Sequence, residues 1–114
     1  MAGGSPGGDH QPQVNLQVLS RVLMQGQSLE DAVAAPRWLV YPGTHPHHLA
    51  AQGTPIMKCE PDVETDVREA FNRQGFPVSD IADIGSAKWV MRSQDADALI
   101  AVADRRRDGA VTAA

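Results

Sequence analysis

The chain has a single cysteine, few aromatic residues, no surplus of positive charge and no long apolar run, and each shortage removes a class of function. Cys59 on its own makes no internal disulfide. With 10 Lys and Arg against 14 Asp and Glu, a net charge of −4 gives no general attraction to nucleic acid or to an anionic membrane surface. Partners are therefore sought among small molecules and proteins. No stretch has the length of a membrane span or the layout of a signal peptide. Localisation stays open, because if the chain is the tail of a longer precursor any export signal would lie upstream of Met1. Trp38, Trp89, Tyr41, Phe71 and Phe76 are all the aromatics, so the core is expected to be thin or shared with another polypeptide. What is present is 114 residues with 42% apolar content, enough for one ordinary domain, 1–114, and not for two.

Periodicity gives the elements. Val14, Leu16, Val18, Leu19, Val22 and Leu23 predict a helix from Gln13 to Gln25, with Asn15, Gln17, Ser20 and Arg21 facing away and Gly26 as its stop. Ser28 with Asp31 resembles a capping box opening a short helix that Pro36 ends. Arg37 to Tyr41 reads as extended, and Pro42 to Pro55 as a surface loop. Ile56 to Cys59 is a strand. Pro61 and Asp62 start a helix carrying Val63, Val67, Ala70 and Phe71, which Gly75 ends. Ala87 to Met91 and Leu99 to Ala103 form a hairpin through a turn rich in Asp and Ser. The order of principal elements is α-α-β-α-β-β, too few strands to cover their own edges.

The chemically suggestive segment is Gly3-Gly4-Ser5-Pro6-Gly7-Gly8-Asp9, immediately ahead of the first helix. Glycines let bare N–H groups approach a reacting atom, and the helix adds its positive dipole end, so such a turn can hold an oxyanion. A flexible linker is the alternative reading. A P-loop is excluded because no Gly-Lys-Ser/Thr follows, and a dinucleotide turn because no strand is expected before it. His45, His47 and His48 lie in the loop without a nearby carboxylate or cysteine at ligand spacing, so they read as solvated histidines and no metal is called for. His10 reads as making a helix-start hydrogen bond, and Cys59, between Lys58 and Glu60, as buried and inert. Arg105-Arg106-Arg107, flanked by Asp104 and Asp108, reads as a run of solvated ion pairs.

Taken together, Gly4-Ser5-Pro6-Gly7-Gly8-Asp9, Gln11-Pro12-Gln13, Ala34-Ala35-Pro36-Arg37-Trp38 and the Gly75-Phe76-Pro77-Val78 continuation resemble the C-terminal half of the small subunit of the gamma-glutamyltranspeptidase family. The resemblance covers nearly the whole chain and extends to Asp104-Arg105-Arg106, where the family more often has Asp-Pro-Arg. The forms Gly-Gly-Asp-x-Gln-Pro-Gln and Pro-Arg-Trp-Leu resemble the branch with oxamate amidohydrolase-like members. It implies an α+β chain forming part of the αββα sandwich of the N-terminal nucleophile hydrolases, with no cofactor. Gly7 and Gly8 match the oxyanion-hole glycines, whose N–H groups stabilise the tetrahedral intermediates as a γ-glutamyl or related amide forms and leaves an acyl-enzyme. Ser5, Pro6 and Asp9, in the same turn, are expected beside the substrate.

The nucleophilic Thr of the family, and the Asp and Ser that hold the substrate's amino-acid end, belong upstream of this turn. Thr44, Thr54, Thr65 and Thr112 sit at no family position, and Ala110 to Ala114 replaces the usual Gly-aromatic ending. The expectation is a fragment, inactive alone, whose partners are the large subunit and the N-terminal part of the small subunit, or a second copy of itself. The other reading is a standalone, non-catalytic module binding a protein or small anion.

Overall fold

The computed structural model describes residues 1–41, 55–95 and 97–112. The expected Pro42 to Pro55 loop, with its three histidines, lies almost wholly outside the described residues. Strands β1 (Ala2–Gly4), β5 (Lys88–Arg92) and β6 (Leu99–Ala103) form one antiparallel sheet in the order β1-β5-β6. A second sheet, β2-β3-β4, contains β2 (Trp38–Tyr41), β3 (Ile56–Cys59) and β4 (Val78–Asp80), with β2 antiparallel and β4 parallel to β3. The helices are α1 (Gln11–Leu23), α2 (Leu29–Ala34) and α3 (Thr65–Arg73), and a 3₁₀ turn over Gly8–His10 leads into α1.

Local chemistry accounts for most of these elements. Ser28 Oγ accepts the Asp31 N–H at 3.0 Å and donates to the Asp31 carboxylate at 2.6 Å, so the capping box does open α2. β5 and β6 pair as the expected hairpin, with Trp89 opposite Val102. α3 starts at Thr65 and not at Pro61, because Pro61 and Asp62 are taken up by a turn in which the Val63 N–H donates to Glu60 O.

β1 and β4 were absent from the expected order. β1 is Ala-Gly-Gly, a sequence with little strand preference. It pairs because Gly3 lies flush on β5: a Cβ at Gly3 would fall 2.4 Å from Lys88 O and 2.5 Å from the Trp89 ring. A strand therefore does precede the glycine turn, and the dinucleotide reading fails on its other requirement, since this strand enters an antiparallel sheet and not a βαβ unit.

Val14 and Val18 of α1, Leu29, Ala32 and Val33 of α2, Leu39, Ile84, Ala87 and Trp89 form the larger core cluster. α1 and α2 thus cover one face of the β1-β5-β6 sheet. A smaller cluster of Met57, Cys59 and Val63 packs with Trp38 and Phe71, whose rings meet edge to face at 5.3 Å.

The polar side of α1 departs from expectation. Gln17 is buried, its amide donating to Trp38 O at 2.7 Å and accepting from the Trp38 N–H at 3.2 Å. Gln13 makes the same pair of bonds to Val40, and the Arg21 guanidinium donates to Pro36 O. One face of the helix thus stands in for a neighbouring strand along β2. Leu16 and Leu23, expected inside, are exposed.

Candidate functional site

The glycine turn sits between β1 and α1. Gly7 has φ +134° and Gly8 φ +56°, conformations that side-chain-bearing residues rarely adopt. No atom lies within 4 Å of where a Cβ on Gly8 would be, so one side of the turn is open. Gly7 O accepts the His10 N–H at 3.1 Å and Gly8 O accepts the Gln11 N–H. The carbonyls are thereby committed to the helix start, and the Gly7 and Gly8 N–H groups precede it, at the end where a helix's first N–H groups have no intrahelical acceptor. Pro12 in the first turn costs nothing there, because its missing N–H would be unpaired anyway. The helix dipole adds partial positive charge at the same spot.

Of the residues expected beside the substrate, Pro6 is exposed, Asp9 is half-buried and Ser5 is buried. Ser5 Oγ donates to Pro6 O at 2.9 Å and accepts the Ser86 N–H at 3.1 Å. His10 does not cap α1 through its side chain; its Nε2 is buried without a partner among the described residues, and only its backbone N–H makes the helix-start bond. Cys59 is fully buried, and burial pushes its thiol pKa up, which leaves it unreactive. Among the described residues no cluster of three or more His, Cys, Asp and Glu could hold a metal, and no helix is long and apolar enough to cross a membrane.

The arginine run corrects the sequence reading. Arg107 does form an exposed pair with Asp83 at 2.8 Å. Arg106 and Asp104, by contrast, enter a buried network with Arg37 and Glu60. Arg37 is fully buried, and its guanidinium donates to Asp104 at 2.6 Å, Ile84 O at 2.8 Å and Val33 O at 2.6 Å. Glu60 accepts from the backbone N–H groups of Arg37 and Ile84 and from the Arg106 guanidinium. Asp104 also accepts the N–H groups of Ala87 and Arg106.

Burial raises the Asp104 carboxyl, but the hydrogen bonds from Ala87, Arg106 and Arg37 outweigh it and hold the group below the ordinary aspartate range. Burial lowers Arg37, and the neighbouring Arg106 charge lowers it further. These partners are 46 and 67 residues apart in the chain, so no local spacing rule finds them. Pro36-Arg37 and Asp104-x-Arg106 are the only traces in the sequence.

The network frames the segment Ile84 to Ala87, which lies against Ser5 and so against the turn. A depression of about 350 Å³ between α2 and β6 and another of about 870 Å³ beside Leu99 and Val111 lie elsewhere; neither borders Gly7 or Gly8.

A family model described as gamma-glutamyltranspeptidase matches residues 1–114. The oxamate amidohydrolase proenzyme of Klebsiella pneumoniae is 42% identical over 40 residues, 35% of this chain and 8% of that protein. Among solved structures, the gamma-glutamyltranspeptidase of Pseudomonas nitroreducens superposes with a TM-score of 0.74 at 23% identity, over 98% of this chain and 54% of that one. That of Helicobacter pylori gives 0.69 at 23% identity, over 92% and 53%. A cephalosporin acylase from Bacillus halodurans gives 0.78 at 26% identity, over 96% of this chain and 19% of that one. The fold is the mixed helix-and-sheet arrangement of the N-terminal nucleophile hydrolases. The chain spans about half the length of the gamma-glutamyltranspeptidase chains that it matches.

Proposed function

Since the chain belongs to the gamma-glutamyltranspeptidase family, we propose that it supplies the oxyanion-stabilising turn of an amide-cleaving enzyme whose nucleophile lies in another segment. The observation that carries the reading is the Gly7-Gly8 backbone, turned to positive φ at the head of α1 and open on one side. Two N–H donors there would take up the charge on the carbonyl oxygen as a γ-glutamyl or related amide is attacked, and again as water or an amino acceptor resolves the acyl-enzyme. Losing one such donor typically costs about 3 kcal/mol of transition-state stabilisation. Pro6 and Asp9 border the turn where a substrate would reach it.

The attacking group is to come from a Thr at the head of the preceding segment of the small subunit, and the partners are that segment and the large subunit. Alone, the chain is expected to release no p-nitroaniline from a γ-glutamyl anilide. Mixed with a Thr-bearing remainder, it is expected to do so, and Gly7→Pro is expected to abolish the gain. Turnover by the isolated chain that survives repurification and is lost in Gly7→Pro would overturn this proposal. A chain that never restores turnover and instead captures a protein or anion would favour the non-catalytic module.

A further inference from the structure

We propose that Ser5 is a positioning residue that sets the direction of the Gly7 N–H, and that it does so without touching substrate. The inference rests on the reading of the Gly7-Gly8 turn given above. The Pro6 carbonyl and the Gly7 N–H belong to one planar trans peptide unit, so they point in opposite directions. Ser5 Oγ donates to Pro6 O at 2.9 Å. That bond fixes the plane and turns the Gly7 N–H away from Ser5. Gly7 has no Cβ to resist rotation at φ +134°, so the hydroxyl bond bears directly on the orientation of this peptide.

The hydroxyl is itself held. Ser5 Oγ accepts the buried Ser86 N–H at 3.1 Å, which directs its proton to Pro6 O. Ser86 lies in a segment pinned on both sides: Ile84 donates to Glu60 at 2.7 Å and accepts from Arg37 at 2.8 Å, and Ala87 donates to Asp104 at 2.9 Å. Gly85 completes the fit, since a Cβ there would lie 2.5 Å from Ser5 Oγ. The buried charge network therefore supports the turn through one backbone segment and one hydroxyl.

The test reads the Gly7 N–H directly, by ¹⁵N relaxation on the full chain. In Ser5→Ala its order parameter is expected to fall from that of rigid backbone, about 0.85, to below about 0.6. Ser5→Thr, which keeps the hydroxyl, and Val18→Ala, a core truncation on α1, are expected to leave it rigid. If Ser5→Ala does not fold, Ser5→Cys, of similar volume but a weak donor, is read on the same terms. A rigid Gly7 N–H without the hydroxyl would overturn the proposal, and so would equal loosening in Val18→Ala. In the reconstituted enzyme Ser5→Ala is expected to lower kcat by about 10²-fold with KM unchanged; a raised KM at unchanged kcat would make Ser5 a substrate contact. Absence of turnover in the reconstituted wild type counts against the functional reading alone, because the relaxation result does not depend on it.

Discussion

Asp104 shows how a residue in an apparently ordinary charge run comes to govern stability. Its carboxylate is buried and takes hydrogen bonds from Arg37, Ala87 and Arg106, which together hold its pKa below the ordinary value against the opposing effect of burial. A carboxyl depressed on folding stabilises the folded chain fully above its unfolded pKa, about 3.9, and loses that contribution as pH falls toward the lower folded value. Urea unfolding between neutral pH and strong acid is therefore expected to show stability dropping from about pH 4 downward. Asp104→Asn is expected to cost about 3–5 kcal/mol at neutral pH, because Arg37 is left buried without its counter-charge, and to flatten the acid limb. A variant whose acid limb matches the wild type would place the titrating group elsewhere.

At the scale of elements, the hydrophobic pattern located the helices and most strands but misjudged which face of α1 is buried. Ile56–Cys59 and Leu99–Ala103 are strands as their composition implies, and Ser28 caps α2 as its spacing implies. These are local signals. The ladder from Gln13, Gln17 and Arg21 to β2 is not local, since the unpaired N–H and C=O groups of Trp38 and Val40 lie 21 and 27 residues away and reward polar side chains at an otherwise buried position. β1 was illegible for a related reason: its pairing depends on the fit of Gly3 against Trp89 and not on its own composition. The glycine turn was legible because positive φ demands a residue type visible in the sequence. Gln17→Leu is expected to destabilise the chain by about 1–3 kcal/mol although it raises apolar content, because it strands the N–H and C=O of Trp38. Gln25→Leu, exposed beyond the end of α1, is the control, expected to change stability by less than about 0.5 kcal/mol in the same urea titration.

The whole molecule is elongated, 49 × 31 × 22 Å, with a radius of gyration of 15.5 Å. A compact domain of this length has about 13 Å. β6 forms an edge of its sheet, and on the sheet face away from the Trp89 and Val102 core Leu99, Ala101 and Val90 lie exposed beside Val111. An open strand edge beside an apolar sheet face is a site at which another chain can pair and pack. The isolated protein is expected to self-associate at micromolar concentration, burying on the order of 1,000 Å² or more if the assembly is specific. Under the function proposed above, supplying the large subunit and the preceding segment is expected to remove that tendency. Sedimentation decides the point: a reversible monomer that binds no apolar dye would show that the chain closes its own core and would favour the standalone module.

The joining of Arg37, Glu60, Asp104 and Arg106 also sets a clock on biosynthesis. Arg106 is made 46 residues after Glu60, and at about 5–20 residues per second the first carboxylate waits several seconds for its guanidinium. During that interval Arg37 and Glu60, which are buried in the finished fold, lack the Asp104 and Arg106 side chains that hydrogen-bond them, so this part of the chain is expected to stay open. Folding of this part is therefore expected to close only once Asp104 and Arg106 have joined the residues made before them, and ribosomes stalled between Glu60 and Asp104 should hold a chain as sensitive to protease as an unfolded one.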